Sequence, residues 1–205
     1  FAAATGTLVG ADVDAGTTLT YGIASPLSGS LSFGGSQYLT LPTRADYALG
    51  TGDYTVETWA RVDSGNSSFY DAGGDLNSAG GFAFWINGSA LGVRHAGQNV
   101  TCTMQNAWYG TWRHYAAVRI GGVVTIFVDG VAQISGTRSE AVTQQTPWVG
   151  RITYGYTMRG LMSGLRVVKG TGLYPANFSP STEPLAAVSG TILLLNVPSS
   201  GAFLA

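Results

Sequence analysis

The chain has 205 residues, of which 10% are charged, and a formal net charge of −1; ordinary soluble proteins carry roughly 25% charged residues. No basic run exists to release counterions from a phosphate backbone, which argues against nucleic acid as a partner. No apolar run approaches the roughly 20 residues of a membrane-spanning helix, which argues against membrane insertion. Cys102 is alone, so neither an intrachain disulfide nor a thiolate metal cluster can form, and in "VTCTM" it reads as a small apolar filler.

Taken from the start, the chain opens at Phe1 with neither a Met nor a signal-peptide pattern, the expectation for a chain processed or excised from something longer. Residues 1–27 differ in character from the rest and form an N-terminal extended segment or adapter strands, with "SPLSGS" as the boundary. Residues 28–205 read as one domain. The chain's thirty glycines punctuate it into short extended pieces rich in Thr, Val, Ile and Tyr. The predicted strands follow as "GSLSF", "QYLTLP", "DYTVETWARV", "SSFYDA", "GFAFWIN", "ALGVRH", "VTCTM", "WRHYAAVRI", "VVTIFVDG", "VAQIS", "RGLMSGLRVV" and "GTILLLNV", after a first one at "TTLTYGI". Helical periodicity is missing, so the class is all-β, a two-sheet antiparallel sandwich or jelly roll.

Two hairpins are explicit. Gly121-Gly122 and Asp129-Gly130 supply the positive φ angles of tight two-residue turns. In "WRHYAAVRI", Trp112, His114, Ala116, Val118 and Ile120 share one face, which reads as buried. Arg113, Tyr115 and Arg119 share the other, which reads as partly wet. The stretch "GLRVVKGTGLYPANFSPSTEPL" reads as a strand ended by Lys169-Gly170 and followed by an anchored excursion. Tyr174 and Phe178 pin it, and Pro175, Pro180 and Pro184 keep it extended.

"SLSFGGSQYLTLP", "GTGDYTVETWARV", "WRHYAAVRIGGVVTIFVDGVAQ", "MRGLMSGLRVVKGTGLYPANF" and "GTILLLN" together resemble, in that order, the laminin-G-like branch of concanavalin A-like lectin and glucanase domains. The ending "LRVVKGTGLYPANFSP" looks like those of phage tail fibres and large bacterial surface proteins. The resemblance implies two antiparallel sheets of about six or seven strands, curved over one another. Separately, "GADVDAGTTLTYGI" resembles cadherin-like repeats of bacterial adhesins.

Because the resemblance includes glucanases, carboxylates matter. Retaining hydrolysis needs two carboxyl groups about 5 to 5.5 Å apart, which laminarinase-type members place as Glu-x-Asp-x-x-Glu. The glutamates here, Glu57, Glu140 and Glu183, have no such spacing, and Glu57 reads as a structural acceptor for backbone or an Arg. No Gly-x-Ser-x-Gly elbow is present; His114 reads as a packed structural histidine and His95 as a surface residue. Non-enzymatic function is expected, with no cofactor. Calcium is the one metal the residues allow, at Asp12/Asp14 or at Asp71, Asp75 and Asn77, where the plain turn-residue reading takes precedence.

The positive expectation is a glycan. Sugar binding uses aromatic faces for stacking and polar groups for hydroxyls. The candidate residues are Trp85, Trp148, Tyr154 and Tyr156, with the Asp71, Asp75 and Asn77 cluster. Trp85 and Trp148 fit a role filling the core or capping a sheet end about equally well, whereas Trp59 and Trp112 read outright as core-filling or sheet-end-capping residues. The chain is therefore expected to be an extracellular or virion-surface recognition and adhesion domain, on a tail fibre, decoration or bacterial cell surface, binding a glycan or cell-surface polysaccharide. The rival is a structural, self-assembling subunit of a fibre, filament or capsid decoration that binds copies of itself, motivated by the apolar ends "FAAA" and "GAFLA". A polysaccharide-cleaving enzyme is the third, disfavoured class.

Overall fold

A computed structural model describes residues 29–73, 79–153 and 155–197. The adapter segment 1–27, with its adhesin-like stretch, Asp12 and Asp14, lies outside the described residues, as do "FAAA" and "GAFLA". The described strands are β1 (Leu31–Gly34), β2 (Leu39–Thr40), β3 (Tyr54–Val62), β4 (Asn66–Ala72), β5 (Phe82–Asn87), β6 (Ala90–His95) and β7 (Gln98–Thr103). They continue as β8 (Trp112–Ile120), β9 (Val123–Val128), β10 (Val131–Thr137), β11 (Pro147–Val149), β12 (Arg159–Lys169) and β13 (Thr191–Leu195).

Two antiparallel sheets pack as a sandwich. The first runs β1-β12-β3-β8-β9-β10, with β13 end to end with β1 along one edge of β12. The second runs β2-β11-β4-β5-β6-β7. Period-2 alternation sends one residue set from each strand into the space between the sheets. Tyr54, Val56, Ala60 and Val62 of β3 meet Phe82, Phe84 and Ile86 of β5 and Leu91 and Val93 of β6 in one buried core. Phe69 stacks on Tyr115 at 4.8 Å and meets Phe84 edge-on at 5.2 Å. Both predicted hairpin turns form: φ is +56° and +86° at Gly121 and Gly122, and +50° and +76° at Asp129 and Gly130.

The face expected to be wet on β8 is the inward one. Tyr115 is fully buried, and Arg119 reaches out of the core to donate to the carbonyls of Thr51, Gly52 and Arg138. Tyrosine and arginine can line a core when their polar ends reach acceptors at its rim. The opposite face of β8 is covered as well, by residues 170–186, a strap with no strand of its own. Tyr174 and Phe178 stack at 3.6 Å and pack on Ala116, Val118 and Phe127, a small second core outside the sandwich. Gly130 has a reason beyond its positive φ: a Cβ there would stand 1.8 Å from the Phe178 carbonyl, and its own carbonyl accepts from the Phe178 N–H. Trp112, at the first position of β8, lies at the sheet end and is 37% exposed.

His95 is the other correction. Its place beside the Ala96-Gly97 turn suggested the surface, but it shares the inward parity of Leu91 and Val93 and is fully buried. Its Nδ1 lies 3.0 Å from the Tyr54 hydroxyl and its Nε2 2.8 Å from the Glu140 carbonyl oxygen. Burial, outweighing that carbonyl contact, holds its pKa below the ordinary histidine value.

Candidate functional site

The two outer faces differ, and each is built by strand parity. On the first sheet, Glu57 of β3, His114 of β8 and Arg166 of β12 point outward beneath the strap. The Glu57 carboxylate accepts from Arg166 Nε at 2.8 Å and Nη2 at 2.5 Å, from His114 Nε2 at 3.0 Å and from the Tyr174 hydroxyl at 2.8 Å. Arg166 also donates to the Ala186 carbonyl at 2.6 Å, and Trp59 Nε1 donates to that of Ser181, tying down the far end of the strap. Glu57 is wholly buried. Burial alone would raise its pKa, but the His114 hydrogen bond and the Arg166 charge together outweigh it and hold the carboxyl below its ordinary value. All four side chains are committed to one another, and the cluster acts as the fastening of the strap.

On the second sheet, register aligns Thr40, Trp148, Asp71, Ala83, Arg94 and Asn99 in a row across the outer face. A second row sets Ser68, Trp85, Gly92 and Thr101 side by side. After β11 the chain turns back on itself. Ile152 N–H donates to Tyr156 O, Met158 N–H donates to Gly150 O, and Arg151 bridges to Thr157. This lays Ile152 and Tyr156 over Ala83 and Trp85.

The sequence candidates therefore fall into different environments. Trp85 is 9% exposed, with its ring over Gly92, where a Cβ would come within 2.4 Å of it. It belongs to a satellite core rather than to open surface. Asp71 is fully buried, and Tyr156 is half-buried against the same satellite core. Trp148 is half-buried, between Thr40 and Asp71 in the row. Tyr154, Asp75 and Asn77 lie outside the described residues. Among the described residues no group of three or more His, Cys, Asp or Glu side chains is placed to hold a metal ion.

Two residues beside Trp148 were not singled out from the sequence. Tyr38, just before β2, is 40% exposed and meets Trp148 edge-on at 6.4 Å. The Arg151 guanidinium lies over both rings, 4.5 Å from the centre of Tyr38 and 5.0 Å from that of Trp148. Among the described residues its buried Nε has no acceptor. The only local hint was the position of Tyr38 next to a strand; β2 pairing with β11 supplies the rest.

An aromatic and cationic cluster on the open face of a two-sheet jelly roll is the point at which the family becomes decisive. The family model for concanavalin A-like lectins and glucanases, in its laminin G form, matches residues 33–171. The chain belongs to that superfamily.

Among solved structures, domains LG4-5 of the mouse laminin α1 chain are 18% identical, with a TM-score of 0.56, covering 75% of this chain and 44% of theirs. The chain thus spans less than half of that laminin fragment. The CBM40 domain of Ruminococcus gnavus IT-sialidase, bound to α2,3-sialyllactose, is 12% identical with a TM-score of 0.55, covering 70% of this chain and 90% of its own. Domain 4 of AbnA, a GH43 extracellular arabinanase of Geobacillus stearothermophilus in complex with arabinotriose, is 18% identical with a TM-score of 0.53, covering 70% and 71%. At these identities the likeness concerns the fold. No curated protein sequence matches the chain.

Proposed function

We propose that this superfamily member is a non-enzymatic recognition domain that binds a glycan on the outer face of its second sheet, in an extracellular or virion-surface setting such as a tail fibre, a decoration or a bacterial cell surface. The observation that carries the reading is the Tyr38–Trp148–Arg151 cluster, two accessible aromatic rings and a cation on the face without a strap. Aromatic rings stack on the C–H faces of sugars while neighbouring polar groups meet the hydroxyls. The sugar-bound domains of the same fold are consistent with it. So are the low charge and the sequence resemblance to tail-fibre and surface-protein domains.

The reading is tested on a glycan array, with hits carried into calorimetric titration. Trp148→Ala and Tyr38→Ala are expected each to weaken binding about two- to tenfold, from a loss of roughly 0.5–1.5 kcal/mol of ring contact. An array without hits overturns the reading, and hits insensitive to both substitutions overturn the site.

One observation favours self-association as a second reading. Among the described residues β13 pairs with β12 alone, and every residue from Thr191 to Leu195 is half-exposed. Such an edge can accept a strand from a neighbouring copy. Sedimentation velocity showing a monomer across the working concentration range removes it.

A further inference from the structure

We infer that Arg151 selects sugars bearing a carboxylate, uronic or sialic acids; this rests on the glycan-binding reading and names its ligand class. Arg44, Arg61, Arg113, Arg119 and Arg166 each stand within 4.0 Å of an Asp or Glu oxygen. Arg151 pairs with no carboxylate among the described residues, although it is half-buried and its Nε is enclosed without an acceptor. A guanidinium carries five N–H donors in one plane and no acceptor. The contacts with Tyr38 and Trp148 use its positive charge and satisfy none of those donors.

A charge held in place between rings, partly out of water and lacking its counter-ion, is complementary to an incoming anion. The planar fork matches a carboxylate by two parallel hydrogen bonds, stronger than neutral ones. The surroundings narrow the class further. Tyr38 carries the guanidinium over one face of its ring at 4.5 Å and is still 40% exposed, which leaves ring surface open next to the cation. The ligand that meets both has an apolar C–H face and a carboxylate on the same ring, as acidic sugars do. Asp71, the cross-strand neighbour of Trp148, is fully buried, so its side chain does not share the open surface with the fork.

The experiment is calorimetric titration of the full chain with trigalacturonate and with 3′-sialyllactose, which separate the uronic from the sialic source. Controls are the carboxyl methyl ester of each, lactose, and lactose 3-sulfate. At least one acid is expected to bind, and its ester to bind about tenfold or more weakly. Arg151→Gln should abolish the difference between acid and ester, and Arg151→Lys should keep only part of it. Thermal unfolding of both variants is measured in parallel, so that loss of fold is separated from loss of the fork. Equal binding of acid and ester, or an unchanged Arg151→Gln, overturns the carboxylate role and leaves glycan binding standing. Lactose 3-sulfate binding as tightly as the acids overturns carboxylate selection in favour of a general anion site. If no sugar binds, both this inference and the reading beneath it fail.

Discussion

On the outer face of the first sheet, the strap covers Ala116, Val118 and Phe127 and encloses Glu57, His114 and Arg166. On the outer face of the second, the turn after β11 lays Ile152 and Tyr156 over Ala83 and Trp85 and leaves Tyr38 exposed and Trp148 half-buried. The same residue types appear on both faces: rings, an arginine, a buried acid. They differ in what closes the circuit. Arg166 meets Glu57 inside the chain, whereas Arg151 meets two rings and no carboxylate among the described residues. A cluster whose charges are paired within the chain stabilises the fold, and one whose charge is not is available to a ligand.

The contrast breaks most severely at Glu57. Glu57→Gln leaves Arg166 buried without its counter-charge and should cost about 3–5 kcal/mol in denaturant unfolding, while sugar titration of the folded fraction stays unchanged. The pH dependence follows from the depressed Glu57 pKa. A carboxyl lowered in the folded state contributes stability above its unfolded value of about 4.3, and that contribution disappears as pH falls through the folded value. The gap in Tm between the parent and Glu57→Gln should therefore narrow progressively below about pH 4.3. A gap constant from pH 7 to pH 3 would show that the substitution acts through packing alone.

Tyr174→Phe keeps the ring stack on Phe178 and deletes one hydrogen bond to the carboxylate, an expected loss of about 2 kcal/mol by the same unfolding measurement. Smallest is Gly92→Ala on the second sheet, where the new methyl must displace the Trp85 ring. Overpacking of that kind costs about 1–3 kcal/mol, and the low end applies because one edge of the indole is the obstacle. It sharpens the comparison through fluorescence: a shifted Trp85 environment with intact sugar binding separates the satellite core from the Tyr38–Trp148–Arg151 cluster.

The legible part of this chain was what short-range patterning controls. Glycine pairs with positive φ marked the hairpins, alternation marked β3, β5, β6, β8 and β12, and Tyr174 with Phe178 marked the strap as anchored. Glu57 meeting an arginine was also readable, because a lone glutamate in a strand as apolar as "TVETWA" needs a partner. The strand β11 was not readable, since three residues beginning with Pro147 carry no periodicity and pair only with distant β2 and β4. His95 was misplaced because a neighbouring turn was given more weight than strand parity. Tyr38 and Arg151 went unnoticed because each is unremarkable in its own segment; only the pairing of β2 with β11 joins them.

That pairing has a kinetic consequence. Tyr38 enters early in the described chain and Trp148 and Arg151 late, and the short ladder of Leu39 with Val149 and Thr40 with Trp148 is what brings them together. Contacts so distant along the chain form slowly, after much of the loop-closure entropy has been overcome. The Tyr38–Trp148 contact is thus a late event in folding, and recovery of ligand binding during refolding should lag behind the first burial of the β8–β9 hairpin.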